Sequence, residues 1–137
     1  MSAPREVAFE VAGIPAPQGS MRAIISRTTG RAFAKHDNAN TKPWRSLVAL
    51  TAARHRPSPL FEGAVTLTVR FYLPRPKSLP KRVVCHAKKP DLSKLVRALE
   101  DALSGVIWHD DAQVAMVVAT KHYGDPGCTV VVREVGS

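Results

Sequence analysis

The sequence predicts an α+β domain in which a mixed β-sheet carries two helices on one face. Two observations carry this prediction. In residues 65–72, apolar and polar side chains alternate, which is typical of a strand with one buried face. After Pro90 the apolar residues recur with the 3.6-residue period of an amphipathic helix, which Gly105 ends. The helical stripe comprises Leu92, Leu95, Val96, Leu99, Ala102 and Leu103.

The N-terminal part predicts a strand followed by a hairpin. Residues 7–11 alternate and indicate a first strand that ends at Gly13. Residues 14–22 hold two prolines and a glycine, so they form a loop. Residues 23–26 and 31–34 flank a turn that contains Gly30, which predicts two paired strands.

The remaining elements follow from proline positions and periodicity. A helix runs from Pro43 to about Arg54, since proline suits the first helical position and later prolines end the pattern. Residues 73–90 hold four prolines and form a long loop, a length that is usually functional in a small domain. Gln113 to about Tyr123 and Thr129 to about Val135 predict two final strands.

Composition limits the class of protein. The 137 residues fit one domain over residues 1–137, and 45% apolar with 23% charged residues is close to the globular average. No stretch reaches the ~18 apolar residues of a membrane helix, and the N-terminus lacks a signal-peptide pattern. Two cysteines, Cys85 and Cys128, make no disulfide framework. We therefore expect a cytoplasmic protein with no membrane segment.

The charge distribution points to nucleic acid. Twenty Lys and Arg against eleven Asp and Glu give a net charge of +9, which favours a polyanionic partner. Residues 75–89 contain six basic residues and no acid, whereas five of the eleven acids lie in residues 91–111. Carboxylates repel phosphate, so this arrangement favours a site in which a metal ion stands between the two.

The acidic cluster has two interpretations. Asp91 begins the second helix, and Asp110 and Asp111 follow it after a short loop, so the carboxylates can converge on one point. Convergent carboxylates need a divalent cation, and oxygen ligands select Mg²⁺ or Mn²⁺, ions that assist phosphate hydrolysis. Alternatively, Asp91 is a helix N-cap and the Asp pair is a solvated turn.

Residues 88–114, KKPDLSKLVRALEDALSGVIWHDDAQV, resemble the signature of the RusA-type Holliday-junction resolvases. The specific matches are KPD, DAL, the following glycine and DDAQV, and PAPQGSMR at residues 15–22 resembles the family's proline-rich N-terminal segment. The resemblance implies a small homodimer that binds four-way DNA junctions. It also implies symmetric cleavage of two strands with magnesium held by aspartates, and many such proteins come from phages.

The resemblance assigns roles to individual residues. Asp91 matches the first signature aspartate and Asp111 the last, which implies that both hold the metal, with Asp110 as a further candidate. Arg97 stands where the family has a functional lysine, which implies a contact with phosphate. An ion pair between Arg97 and Asp101, four residues apart on a helix, is an equal alternative.

Ser93 departs from the pattern because it occupies the position of the second signature aspartate, and Lys94 stands at the usual asparagine. Glu100 has nearly the same direction on the helix but lies ~10 Å further along its axis, so it does not replace the missing carboxylate. Three interpretations stay open: a site with fewer ligands, a natural loss of activity with retained junction binding, or an introduced substitution.

We therefore predict an endodeoxyribonuclease that resolves four-way junctions with Mg²⁺, or with Mn²⁺, and without a small-molecule cofactor. The alternative is a branched-DNA-binding protein whose site is impaired at Ser93. His109 is a general base or a solvent-facing loop residue, and Trp108 stacks on an unpaired base or belongs to the core. The predicted DNA-binding residues are Lys88, Lys89, Lys94, Lys77, Lys81, Arg82, Arg75 and Arg22.

Overall fold

Four strands form one mixed sheet and two shorter strands form a hairpin in the computed structural model, which describes residues 5–18, 21–25, 32–36 and 41–135. The elements are β1 (Glu6–Ala12), β2 (Met21–Ile25), β3 (Ala32–His36), α1 (Thr41–Ala53), β4 (Val65–Leu73), α2 (Leu92–Leu103), β5 (Val114–Tyr123) and β6 (Gly127–Glu134), with a 3₁₀ turn at Asp111–Gln113. The predicted α+β class and its element order are confirmed.

The strand order in the large sheet is β1-β6-β4-β5. β4 pairs antiparallel with β6 but parallel with β5, and α2 makes the crossover between the parallel pair. This crossover places α2 directly before β5, which lies at one edge of the sheet. The predicted long loop, residues 73–90, begins at the last residue of β4 and leads to the N-terminus of α2.

One face of the sheet is buried because its strands alternate as predicted. Val65, Leu67, Val69 and Phe71 of β4 are at most 1% exposed. α2 adds a buried stripe from Leu95 to Leu103 to this core, and α1 packs on α2 and β1. None of the described helices is long and apolar enough to cross a lipid bilayer.

Two element boundaries differ from the prediction for physical reasons. α1 begins at Thr41, so Pro43 lies inside the first turn, where its missing N–H leaves no helical hydrogen bond unmade. β6 begins at Gly127 because a Cβ there would lie 2.4 Å from the Val11 carbonyl oxygen on β1, so glycine permits the strands to pair.

The hairpin also differs in its limits from the sequence prediction. β2 and β3 pair in register from Met21 with His36 to Ile25 with Ala32. β2 therefore begins inside the predicted loop, and β3 extends beyond the predicted end. The predicted turn at Gly30 lies outside the described residues.

Candidate functional site

Asp91 occupies the N-cap position of α2, but its side chain makes no capping hydrogen bond. The carboxylate lies 3.9 Å from the Lys94 ammonium, one turn further along the helix, and its side chain is 57% exposed. Because this carboxylate accepts no hydrogen bond from the helix amides and faces solvent, it is accessible to a cation or to DNA.

Lys121 of β5 positions the segment before Asp91. Its Nζ donates hydrogen bonds to the carbonyl oxygens of Lys88 at 2.7 Å and Pro90 at 3.0 Å. One side chain thereby ties the end of the edge strand to the start of α2. Lys121 was not among the predicted site residues; the available signal was a basic residue near the end of a strand whose first six residues are apolar.

The signature residues Asp110 and Gln113 build the turn before β5. Asp110 Oδ1 accepts from the Ala112 amide at 2.8 Å. The Gln113 side-chain oxygen accepts from the amides of His109 and Asp110, at 2.8 and 2.9 Å. Its Nε2 donates to the carbonyl oxygens of Phe61 and Gly63 at 2.8 and 3.0 Å. Asp110 thus stabilises the turn in this chain. Gln113 connects the turn to the backbone at Phe61 and Gly63.

Asp111 differs from its neighbour because the core holds it. The Trp108 indole Nε1 donates to Asp111 Oδ1 at 3.0 Å, and Trp108 is wholly buried. Trp108 is therefore a core residue in the described structure. Asp111 itself is half-buried, whereas His109 is exposed. The bond fixes one oxygen of the Asp111 carboxylate and leaves the other without an assigned hydrogen bond.

Glu100 shares the environment of Asp111. Burial raises the pKa of the Glu100 carboxyl, and the charges of Asp111 and Asp101 raise it further, against the opposing effect of Arg97. A partly buried carboxyl group whose ionisation is opposed by two neighbouring carboxylates is a favourable place for a positive charge. The helical spacing had related Glu100 only to Ser93, and the proximity of Glu100 to Asp111 was not predicted.

Asp91 and Asp111 lie at opposite ends of α2 within one chain. Glu100, the neighbour of Asp111, is nine residues beyond Asp91, which corresponds to ~14 Å along a helix axis. Asp111 lies just before Val114, the first residue of β5. Asp91 lies next to the segment that Lys121 binds. Lys121 is seven residues beyond Val114, which corresponds to ~23 Å along an extended strand. Among the described residues, no three His, Cys, Asp or Glu side chains form a metal-binding group.

A groove along α2 and β5 runs between these two ends. Ser93, Arg97 and Glu100 line it from the helix, and Val117 and Ala119 line it from the edge strand. Asp101, the alternative partner of Arg97, instead lies 3.7 Å from Arg45 of α1. Arg97 is thus exposed in the groove, next to the position of the altered signature residue.

Residues 75–89, here called the basic loop, contain one basic residue that holds the loop together and five whose side chains are exposed. Arg75 fastens the loop internally: its guanidinium donates to the carbonyl oxygens of Pro80 and Val83, both at 2.7 Å, and lies over the Tyr123 ring. The other basic side chains of the loop are exposed, namely Lys77, Lys81, Arg82, Lys88 and Lys89. Lys94 is half-buried at the start of α2, and the side chain of Arg22 lies outside the described part of the chain.

An exposed basic loop and a groove lined by Arg97 and Glu100 are the kind of surface that a phosphate backbone can contact. Residues 15–133 match the family model described as Endodeoxyribonuclease RusA, and the chain belongs to this family. The family supports a nuclease of the Holliday-junction-resolvase kind.

The chain is also 33% identical over 142 residues to a protein of Bacillus subtilis (strain 168) that is named Uncharacterized protein YqaN. The alignment covers 96% of this chain and 98% of the relative.

Proposed function

We propose that the protein is a magnesium-dependent endodeoxyribonuclease that resolves four-way DNA junctions as a homodimer. The observation that carries the proposal is the α2–β5 groove with Arg97 on its wall. Asp91 directly precedes the lining residue Leu92, and the charge of Asp111 acts on the lining residue Glu100. Membership of the RusA family supports the substrate class.

The donor chemistry fits magnesium or manganese. The groove ends offer carboxylate oxygens from Asp91, Asp111 and Glu100, and hard oxygen ligands are those that Mg²⁺ and Mn²⁺ prefer. The raised pKa of Glu100 supports a demand for positive charge at the Asp111 end. When bound, such an ion supplies charge stabilisation on the phosphate and a more acidic water.

Side chains of the protein itself bind the phosphate and position the two aspartates. Arg97 presents a guanidinium fork that can bind a phosphate through two parallel hydrogen bonds. Trp108 holds the Asp111 carboxylate from the core, and Lys121 holds the backbone that carries Asp91. Lys88 and Lys89 attract the phosphate backbone without reading its sequence.

A second copy of the chain brings the two signature aspartates together. β5 is an edge strand, and Met116 and Val118 on its face away from the helices are 54% and 52% exposed. If two copies pair antiparallel along β5, the start of one strand faces the end of the other. Asp111 of one copy then approaches Asp91 of the other copy. The dimer thereby brings together two aspartates that lie far apart within one chain.

Two assays test this function. We expect nicking of a synthetic four-way junction with Mg²⁺ and no comparable nicking of a linear duplex of the same sequence. If Asp91→Asn and Asp111→Asn proteins are each inactive, the mixture should regain nicking, since a mixed dimer keeps one site with both aspartates. Failure of the mixture to recover, with subunit exchange verified, would place each site within one chain.

Ser93 favours a second candidate function. It lines the groove where the family has a carboxylate, and a neutral hydroxyl is a far weaker magnesium ligand. In this alternative the protein binds branched DNA and cleaves it poorly. Tight, junction-selective binding without nicking in Mg²⁺ or Mn²⁺ would favour this alternative over the first.

A further inference from the structure

A cleft of about 940 Å³ has Asp91 in its lining and shares only Lys94 with the lining of the α2–β5 groove. Residues 13–18 form one wall, the start of α1 forms the floor, and parts of residues 73–90 form the other wall. Its volume is in the range that binds small organic groups. No role in the proposed cleavage reaction accounts for this space.

The walls of the cleft are held in place. The Gln18 amide donates to the Lys94 carbonyl at 2.9 Å, and the Thr41 hydroxyl donates to the Pro17 carbonyl. The Gly13 amide donates to the Pro126 carbonyl at 3.2 Å. On the opposite wall, Lys121 binds the carbonyl oxygens of Lys88 and Pro90. The cleft is therefore pre-formed.

Three lining residues carry buried polar atoms that have no hydrogen-bond partner in the described structure: Trp44 Nε1, Gln18 Oε1 and His86 Nδ1. Trp44 is only 4% exposed, so its indole N–H is removed from bulk water. A buried donor or acceptor without a partner is costly, and such atoms in native proteins call for an explanation. These atoms are buried within the cleft lining, and an occupant that both donates and accepts satisfies them once their side chains turn toward the cleft.

The remaining lining is aromatic and basic. The His86 and Tyr123 rings lie 4.5 Å apart, and both line the cleft together with the Trp44 indole. Burial, followed by the charge of Lys121, lowers the pKa of His86, so the imidazole is neutral and offers one donor and one acceptor nitrogen. Lys88 and Lys89 stand at the rim, and the Asp91 carboxylate lies there too.

We propose that this cleft takes one unstacked nucleotide of the bound DNA, with its base against Trp44, His86 and Gln18 and its phosphate near Lys88 and Lys89. A nucleobase has a flat face for the aromatic rings and an edge with both donors and acceptors. The inference rests on the proposed function, since unstacking a base costs least at a branch point, where the duplex is already interrupted.

The test uses four-way junctions that carry 2-aminopurine at successive positions around the branch point, bound by the protein without metal. The two matched variants are His86→Phe and His122→Phe. Each replaces a histidine whose ring lies against a tyrosine ring, but the partner of His122 is Tyr72, on the sheet face away from the helices. We expect 2-aminopurine emission to change at one position when the protein binds. This change should be lost in His86→Phe and kept in His122→Phe.

Gln18→Leu removes a second hydrogen-bonding group. It should reduce the same signal and weaken junction affinity by roughly fivefold for the one lost hydrogen bond. If emission changes at no position, or if both histidine variants behave like the parent, the cleft does not hold a base.

The outcomes separate this inference from the proposed function. Junction-selective nicking without any His86-dependent signal overturns the cleft assignment and leaves the resolvase function intact. A His86-dependent signal on single-stranded oligonucleotides, without junction selectivity, supports the cleft and overturns the resolvase function. Saturation of the cleft by free deoxynucleoside monophosphate, with no signal from DNA, overturns the assignment to a DNA nucleotide.

Discussion

The indole of Trp108 donates a 3.0 Å hydrogen bond to the carboxylate of Asp111. Trp108 has no exposed surface, while Asp111 is half-buried, so the bond runs from the hydrophobic core outward to a signature residue. The core therefore sets the orientation of this carboxylate. Trp108 acts as a positioning residue, which explains why an aromatic donor stands three positions before the aspartate.

Asp111→Asn should abolish cleavage and leave junction binding unchanged or tighter. The asparagine carbonyl oxygen can still accept from Trp108, so the turn is kept while the negative charge is lost. Nicking assays and electrophoretic mobility shifts on the same junction measure the two effects. If Asp111 serves only the turn, nicking survives in Asp111→Asn, because the substitution keeps the hydrogen bond from Trp108.

Ser93→Asp should raise cleavage by orders of magnitude because it returns a carboxylate to the groove beside Arg97. Position 93 is exposed on α2, so the fold should be unaffected. The parent protein should work better with Mn²⁺ than with Mg²⁺, since magnesium demands more regular coordination. Nicking rates with each ion provide the measurement.

Ser93→Asn is the matched control for that substitution, since it has nearly the shape of aspartate without its charge. It should leave cleavage at the level of the parent. Efficient nicking by the parent in Mg²⁺, with no gain in Ser93→Asp, would mean that position 93 takes no part in holding the metal.

Lys88→Ala with Lys89→Ala should weaken junction binding and flatten its dependence on salt. Each lost contact with a duplex phosphate reduces the slope of log affinity against log salt by ~0.9. Arg54→Ala with Arg56→Ala is the control, because it removes the same charge from exposed residues just after α1. Titrations at several salt concentrations measure both slopes, and equal slopes in the two double variants would exclude the loop from the DNA interface.

The two cysteines should differ sharply toward a thiol reagent. Cys85 is exposed, whereas Cys128 lies in the core, where burial raises the pKa of its thiol to about 12. A raised pKa keeps the thiol protonated, and the protonated thiol does not react as a nucleophile. We expect one fast equivalent in native protein and a second only on unfolding. Cys85→Ser should remove the fast equivalent; rapid labelling of that variant would contradict the burial of Cys128.

Local pattern was sufficient to predict most of the fold. The alternation around Val69 and the helical period around Leu95 each reflect one buried face, and the structure buries both residues completely or nearly so. The boundary at Gly127 was not predictable, because it depends on the close approach of Val11 from a strand more than a hundred residues away in the chain.

The residues of the candidate site stay predictions, and their geometry was not predictable from the sequence. The signature motifs identified Asp91 and Asp111, yet their separation depends on the length of α2 and the direction of β5, which periodicity alone does not relate to each other. Lys121 was missed for a similar reason. Its partners are two backbone carbonyl groups, and a sequence does not display which carbonyl groups a lysine will reach.

The chain contains two tryptophans, Trp44 and Trp108, and they lie at different functional places. Trp44 lines the cleft beside Asp91, while Trp108 is bonded to Asp111 at the far end of α2. Each indole is thus a built-in optical reporter for one half of the site. In a Trp44→Phe protein the remaining emission should respond to the charge on Asp111, so that binding of a cation there is detectable without an added label.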